Sequence, residues 1–125
     1  MNGSNLYEYA VVRHVPSIER GEFINIGLLM MCKRRRWLRM AVRIDPARLE
    51  AFRSPFTADE LKAQLRGMEE VAAGGDGPLT GLPAEERFRW LTAVRSASIQ
   101  TSRPHPGMTD DLDATFTQLF ETLVI

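Results

Sequence analysis

The sequence has little cysteine, no long apolar run and no net charge, and each shortage excludes a class of protein. Cys32 is the only cysteine among 125 residues, so neither an intrachain disulfide nor a cysteine-based metal site can form within one chain. The most apolar segment, residues 22–32, is too short to cross a bilayer as a helix. The first residues carry no basic stretch followed by an apolar one, as a secretory signal would. We therefore expect a cytoplasmic protein that does not enter a membrane.

The remaining composition is that of a globular domain. Hydrophobic residues make up 44% of the chain and charged residues 26%, which excludes the disordered and membrane-embedded classes. A length of 125 residues suits one hydrophobic core. We predict a single domain over residues 1–125.

The formal net charge of zero hides an uneven division along the chain. Residues 1–55 hold ten basic against five acidic residues, a local charge of +5, so the remainder carries −5. Such a division suits a basic face for an anionic partner, or two surfaces that attract each other within the fold or between chains.

Apolar patterns in the first third of the chain predict three strands. Residues 6–14 are apolar on both sides, which predicts a central strand. A second strand, residues 22–32, follows a connection that contains Pro16 and Gly21. A turn at residues 33–36 leads into residues 37–44, whose clean alternation predicts a strand with one face in water.

Helix-capping signals predict four helices in the rest of the chain. A short helix begins at Asp45 and Pro46, and a capping box of Thr57 and Glu60 begins a longer one that ends at residue 74. A third covers residues 83–92, and the last follows residues 109–111. Residues 96–101 predict one more short strand, and residues 102–107 a rigid polar loop.

Strands followed by helices predict an α+β fold, in which one antiparallel sheet of three to four strands packs against helices. Arg39 and Arg43 lie on one side of the third strand. We therefore expect helices on at least one face of the sheet and water on part of the other.

The second strand combines core and polar features. Its even positions predict one buried face, made of Ile24, Ile26, Leu28 and Met30. Asn25 and Gly27 fall together on the opposite face. They favour a bulge or a close backbone approach, or a hydrogen bond from Asn25 to the loop at residues 16–21.

Several motifs carry a family resemblance. They are RGEFINIG at residues 20–27, Trp90-Leu91, Arg95-Ser96, His105-Pro106-Gly107, Asp110-Asp111 and Leu119-Phe120. Over nearly its whole length the chain resembles a bacterial family, domain of unknown function 3037. The resemblance implies a gene often encoded beside a HipA-like kinase, a protein-kinase relative known from toxin–antitoxin systems. It implies no catalytic residue and no cofactor.

Six residues match recurrent polar positions of that family and form a candidate binding cluster: Arg20, Glu22, Asn25, Arg95, His105 and Asp111. If the two ends of the chain meet, Glu19, Glu22, His105, Asp110 and Asp111 would supply ligands for Mg²⁺ or Mn²⁺. Their spacing matches no standard ligand motif, and the two aspartates suit a helix cap. We therefore predict no metal site.

A second candidate set is basic. Arg34, Arg35 and Arg36 precede Trp37, and the next strand adds Arg39 and Arg43. Such a hairpin can follow a phosphate backbone and stack a base, or it can be a solvated tip that protects a sheet edge. A near-neutral pI of 6.7 and the absence of a nucleic-acid motif favour the solvated tip.

No nucleophile stands beside a base in the sequence. His14 and His105 have no serine or cysteine at a spacing typical of a catalytic pair, and Cys32 ends an apolar strand. We expect a non-catalytic accessory protein that binds a partner protein, a HipA-like kinase in a toxin–antitoxin or defence-type system, or a second copy of itself. The alternative is a nucleic-acid binder, or a metal-dependent nuclease that uses Glu22, His105 and Asp111.

Overall fold

A computed structural model describes residues 4–93 and 96–125 of the chain. Within these residues lie, in order, β1 (Asn5–Ser17), β2 (Glu22–Cys32), β3 (Trp37–Val42), α1 (Pro46–Ala51), α2 (Ala58–Ala73), α3 (Ala84–Ala93), β4 (Ile99–Thr101), β5 (His105–Thr109) and α4 (Leu112–Leu123). The strands form one antiparallel sheet. The predicted α+β class is confirmed.

The first strand is the centre of the sheet, as its apolar character on both sides predicts. The order is β3-β2-β1, and the other edge of β1 is shared by two short strands. β5 pairs with its first half, where Tyr9 lies opposite His105, and β4 pairs with its second half, where His14 lies opposite Ile99. The loop prediction for residues 102–107 is thus wrong from His105 onward. Pro106 has no N–H to donate, and an edge strand tolerates this.

A β-bulge divides the second strand. Val12 lies opposite Gly27 and Arg13 lies opposite Asn25, which leaves Ile26 as an extra residue on β2. The bulge shifts the alternation, so Ile26 packs in one core and Leu28 in the other. The prediction of one even-numbered face is therefore wrong, and so is that of Asn25 and Gly27 side by side. The expectation of a bulge is confirmed.

Helices cover both faces of the sheet. On the first face, hereafter the α1–α3 face, side chains of β1 and β2 pack against Leu49 of α1, Leu61 and Leu65 of α2, and Phe88 and Leu91 of α3. The opposite face, hereafter the α4 face, has a smaller core formed by residues of the sheet, of α4 and of the C-cap that follows it: Leu28, Met30, Trp37, Phe116, Phe120 and Val124, among others.

Water reaches part of the α4 face, as expected, since Arg39 is exposed there. The Arg39 guanidinium lies 4.4 Å from the centre of the Phe116 ring. Its Nη1 also lies 3.2 Å from an Asp113 carboxylate oxygen of α4. Arg39 therefore contacts the covering helix, with an apolar stem along the core and a charged end at its rim.

The predicted helix starts are confirmed. Asp45 accepts a hydrogen bond from the Ala47 amide over 2.9 Å at the start of α1. The Thr57 and Glu60 side chains form the reciprocal capping box of α2. Asp111 accepts from the Ala114 amide over 3.0 Å and begins α4.

Candidate functional site

The strand register separates the candidate binding cluster. Glu22 lies opposite Ser17 near the end of β1, whereas His105 lies opposite Tyr9, eight residues earlier. At the usual rise per residue these two positions are roughly 25 Å apart. Asp111 lies beyond Thr109, which pairs with Asn5 at the far end of β1. Arg95 lies outside the described residues.

Arg20 and Glu22 pair with each other across the turn between β1 and β2. Arg20 Nε donates to Glu22 Oε1 over 2.8 Å, and Nη2 donates to Oε2 over 3.3 Å. The hydrogen bond lowers the pKa of Glu22 and raises the pKa of Arg20. Because water surrounds both side chains, the pair adds little stability. Its consequence is geometric: it holds the turn around Gly21, whose φ is 68°.

The same two side chains line a surface cavity of about 450 Å³. Ser17 lies beside them, and the opposite wall is the end of α1, with Ala51, Phe52 and Arg53. Arg53 has a φ of 54°, a left-handed conformation that is uncommon for a residue with a side chain. Two guanidinium groups and one carboxylate thus surround a cavity that sequence analysis did not predict.

Large apolar side chains are exposed in the β1–β2 turn, at the start of β2 and at the end of α1, and one of them, Phe52, lines this cavity. Ile18 is 65% exposed, Phe23 45% and Phe52 38%. The Arg13 guanidinium lies 4.1 Å from the centre of the Phe23 ring, which positions that ring at the surface. We call the set of Ile18, Arg20, Phe23, Phe52 and Arg53 the loop surface. It combines aromatic and arginine side chains, the residue types that contribute most to protein interfaces.

Asn25 connects β2 to the last helix rather than to the loop at residues 16–21. Its Nδ2 donates to the Leu123 carbonyl oxygen at the end of α4 over 2.9 Å. Its Oδ1 is buried and has no hydrogen-bond partner among the described residues, and the same holds for Nε of its cross-strand neighbour Arg13. Asn25 therefore has a structural contact in the fold.

His105 and Asp111 also have local partners. The exposed His105 ring lies 5.2 Å from the Tyr9 ring, centre to centre. Asp111 accepts the Ala114 amide as the cap of α4. Among the described residues, no group of three or more histidine, cysteine, aspartate or glutamate side chains is placed to hold a metal ion.

The candidate basic residues of the β2–β3 hairpin, hereafter the arginine hairpin, differ in how far they contact the rest of the protein. They are Arg34, Arg35, Arg36, Arg39 and Arg43. Arg34, Arg35 and Arg36 are exposed at the tip of the hairpin, where Arg36 has a φ of 53°. Arg35 Nε donates to Asn5 Oδ1 over 3.0 Å. Arg39 contacts α4 as described above, and the exposed Arg43 donates its backbone N–H to Ile26. The tip and Arg43 therefore present charge outward.

A histidine–serine pair lies under the α1–α3 face, and sequence analysis missed it. The His14 side chain is 0% exposed. Its Nε2 lies 2.7 Å from Ser54 Oγ, and its Nδ1 lies 2.9 Å from the Ser98 carbonyl oxygen. Burial lowers the pKa of His14, and the hydrogen bond to Ser98 opposes this in part. The partners are 40 and 84 residues away along the chain, so no local spacing signals the pair.

Among the residues that the structure describes, every helix is too short or too polar to cross a membrane.

Comparison with known proteins finds one family. Residues 9–124 match the model of a family described as protein of unknown function (DUF3037). No curated protein and no solved structure match the chain.

Proposed function

We propose that this chain, which belongs to the family DUF3037, acts by binding another protein at the loop surface. The observation that carries the proposal is the exposure of Phe52 at an arginine-lined cavity, with Ile18 and Phe23 exposed nearby along the chain, in the β1–β2 turn and at the start of β2. Exposed apolar side chains that are grouped and rimmed by polar residues are typical of interaction sites.

The charge of the loop surface indicates which residue types the partner carries. Arg20 is already paired with Glu22, but the side chain of Arg53 has no hydrogen-bond or ionic partner among the described residues. A carboxylate of the partner would pair with Arg53, while an apolar side chain would cover Phe52. We therefore infer a partner segment that carries one acidic and at least one large apolar residue.

The first partner to test is a HipA-like kinase, because the family resemblance implies such a neighbour. In this proposal the chain is a cytoplasmic accessory protein of a toxin–antitoxin or defence-type system. Its loop surface binds the surface of the kinase.

Calorimetry with a purified HipA-like kinase tests the proposal. We expect association at micromolar concentration or tighter, weakened roughly tenfold by Phe52→Ser and by Arg53→Asn. Asparagine tolerates the positive φ at position 53, so the second variant removes charge without straining the turn. Trp90→Ser is the matched control, since Trp90 is 42% exposed on α3. No association, or equal weakening by the control, would rule the loop surface out.

The arginine hairpin supports the alternative, a nucleic-acid-directed protein. Its exposed tip, with Lys33 and Arg36, lines a cavity of about 560 Å³ together with the start of α3. Incubation with labelled DNA and RNA, with and without Mg²⁺ or Mn²⁺, tests both binding and cleavage. The nuclease version is the weaker one, because Glu22, His105 and Asp111 lie at different positions along β1. Unchanged mobility would exclude the alternative, and light scattering of the same sample would report self-association.

A further inference from the structure

The buried histidine has a defined tautomer. A carbonyl oxygen only accepts hydrogen bonds, so the contact of 2.9 Å between Nδ1 and the Ser98 carbonyl places a proton on Nδ1. In the neutral ring Nε2 is then a bare acceptor, and the Ser54 hydroxyl, 2.7 Å away, donates to it. This is the arrangement in which a histidine withdraws the proton of a serine nucleophile, with the second nitrogen oriented by a fixed partner.

The serine is reachable from outside. Ser54 is partly exposed and lines a surface cavity of about 310 Å³ between the end of α1 and the start of α2. Most of the other lining residues are apolar: Pro46, Leu49, Phe56 and Ala58. His14 lies behind the serine, fully buried, with its ring edge-on to Phe56 at 5.8 Å between centres. A small molecule in the cavity would meet the serine and not the histidine.

One backbone amide contacts the same hydroxyl, and the start of a helix follows it. The Phe56 N–H donates to Ser54 Oγ over 3.1 Å. The sixteen-residue helix α2 begins two residues later, and its capping box occupies the amides of Thr57 and Glu60. The amides of Ala58 and Asp59 belong to the first turn, whose N–H groups have no partner within the helix. Such donors favour negative charge that develops on an oxygen nearby.

We propose that Ser54 is a nucleophile that accepts an acyl group from a small ester with an apolar acyl chain, and that His14 is its general base. Ser54 Oγ would attack the carbonyl carbon while its proton passes to His14 Nε2. The C–O bond of the ester breaks, and the departing alkoxide takes a proton from a water molecule in the cavity, because the fully buried His14 does not line it. An acyl-serine and one alcohol are formed. The hydroxide left by that water attacks the acyl-serine and releases the carboxylic acid, and Ser54 Oγ then recovers its proton from His14. This goes beyond binding at the loop surface and does not depend on it.

The test uses the whole protein and a fluorophosphonate probe, which phosphonylates activated serines and releases fluoride. Peptide mapping by mass spectrometry of the unaltered protein should place one probe group on Ser54. The rate should exceed that of the exposed Ser4 by about a hundredfold or more, the usual effect of a positioned base. Ser54→Ala should lose the label, and Ser4→Ala should keep it.

A burst of about one equivalent of p-nitrophenolate from p-nitrophenyl acetate, absent in Ser54→Ala, is expected in addition. An unlabelled Ser54 peptide, or labelling no faster than that of Ser4, would overturn the proposal. The peptide map needs no variant, so the result stands even where Ser54→Ala does not fold. Failure here would leave binding at the loop surface untouched, because the two cavities have no lining residue in common.

Discussion

The α1–α3 face and the α4 face bury side chains of different character. The first is an extended apolar core whose one buried histidine has a partner on each ring nitrogen. The second is smaller and places the Arg39 guanidinium on the Phe116 ring. It also buries Asn25 Oδ1 and Arg13 Nε, which have no hydrogen-bond partner among the described residues. An unpaired buried polar atom costs free energy. We infer that the α1–α3 face dominates the stability of the fold and that α4 is held less firmly.

The largest expected effects come from the two most buried phenylalanines, one on each face. Phe88 and Phe116 are each 1% exposed. Truncation to alanine should lower the free energy of unfolding by about 3–5 kcal/mol in either case, as measured by urea denaturation. The faces should differ in where protection from amide hydrogen exchange is lost: throughout the sheet for Phe88→Ala, and first in α4 for Phe116→Ala. If both variants lost protection from amide exchange uniformly across the protein, the two faces would not differ in stability.

The bulge gives the next largest effect. A Cβ at Gly27 would lie 2.9 Å from the Ala41 carbonyl oxygen of β3 and 3.3 Å from the Val12 Cβ. Gly27→Ala should therefore lower the free energy of unfolding by about 1–3 kcal/mol, because β3 must move away. Gly67→Ala is the control: it lies within α2 with no atom near the added methyl, and it should stabilise the protein by about 0.5–1 kcal/mol. If Gly67→Ala lowered the free energy of unfolding as much as Gly27→Ala, crowding around position 27 of β2 would not explain the loss of stability.

Local signals predicted most of the elements, whereas contacts distant in sequence were not predictable. The capping box of Thr57 and Glu60 and the alternation of β3 lie within single segments, so they specify α2 and the hairpin directly. β5 was missed because Pro106 and Gly107 indicate a loop. A Cβ at Gly107 would overlap the Tyr7 ring, so any other residue there would displace that ring.

The site shows the same limit. The pairing of Arg20 with Glu22 has a local signal, since the residues are two apart and opposite in charge. The cavity beside them was not foreseen, because its other wall is the end of α1. The contact of His14 with Ser54 joins residues 40 positions apart and leaves no periodic pattern in either segment.

Acid should weaken the α1–α3 face through His14. Burial lowers the pKa of this ring in the folded chain, so below the ordinary value of about 6.5 the unfolded chain binds more protons than the folded one. The free energy of unfolding should be independent of this group above that value and should fall as the pH decreases below it. One titrating group contributes a slope of at most about 1.4 kcal/mol per pH unit.

Urea denaturation between about pH 7.5 and pH 5.5 measures this slope. His105→Gln should retain the pH dependence, because that ring is exposed at the sheet edge. If the pH dependence of the free energy of unfolding disappeared in His105→Gln, the effect would come from His105 and not from His14.

The smallest expected effect is at Asn25, on the α4 face. Asn25→Ala removes the hydrogen bond of 2.9 Å to the Leu123 carbonyl but also removes the buried Oδ1, which has no partner in the described part of the chain, so the loss should not exceed about 1 kcal/mol. Thr122→Ala, at an exposed position one residue before Leu123, is the control for changes near the end of α4. Because the contact fixes the last turn of α4 against β2, amide exchange there should accelerate in Asn25→Ala while exchange in α2 stays unchanged. Equal acceleration in α2 would mean that the two faces unfold as one unit, and the difference between them would then lie in their composition alone.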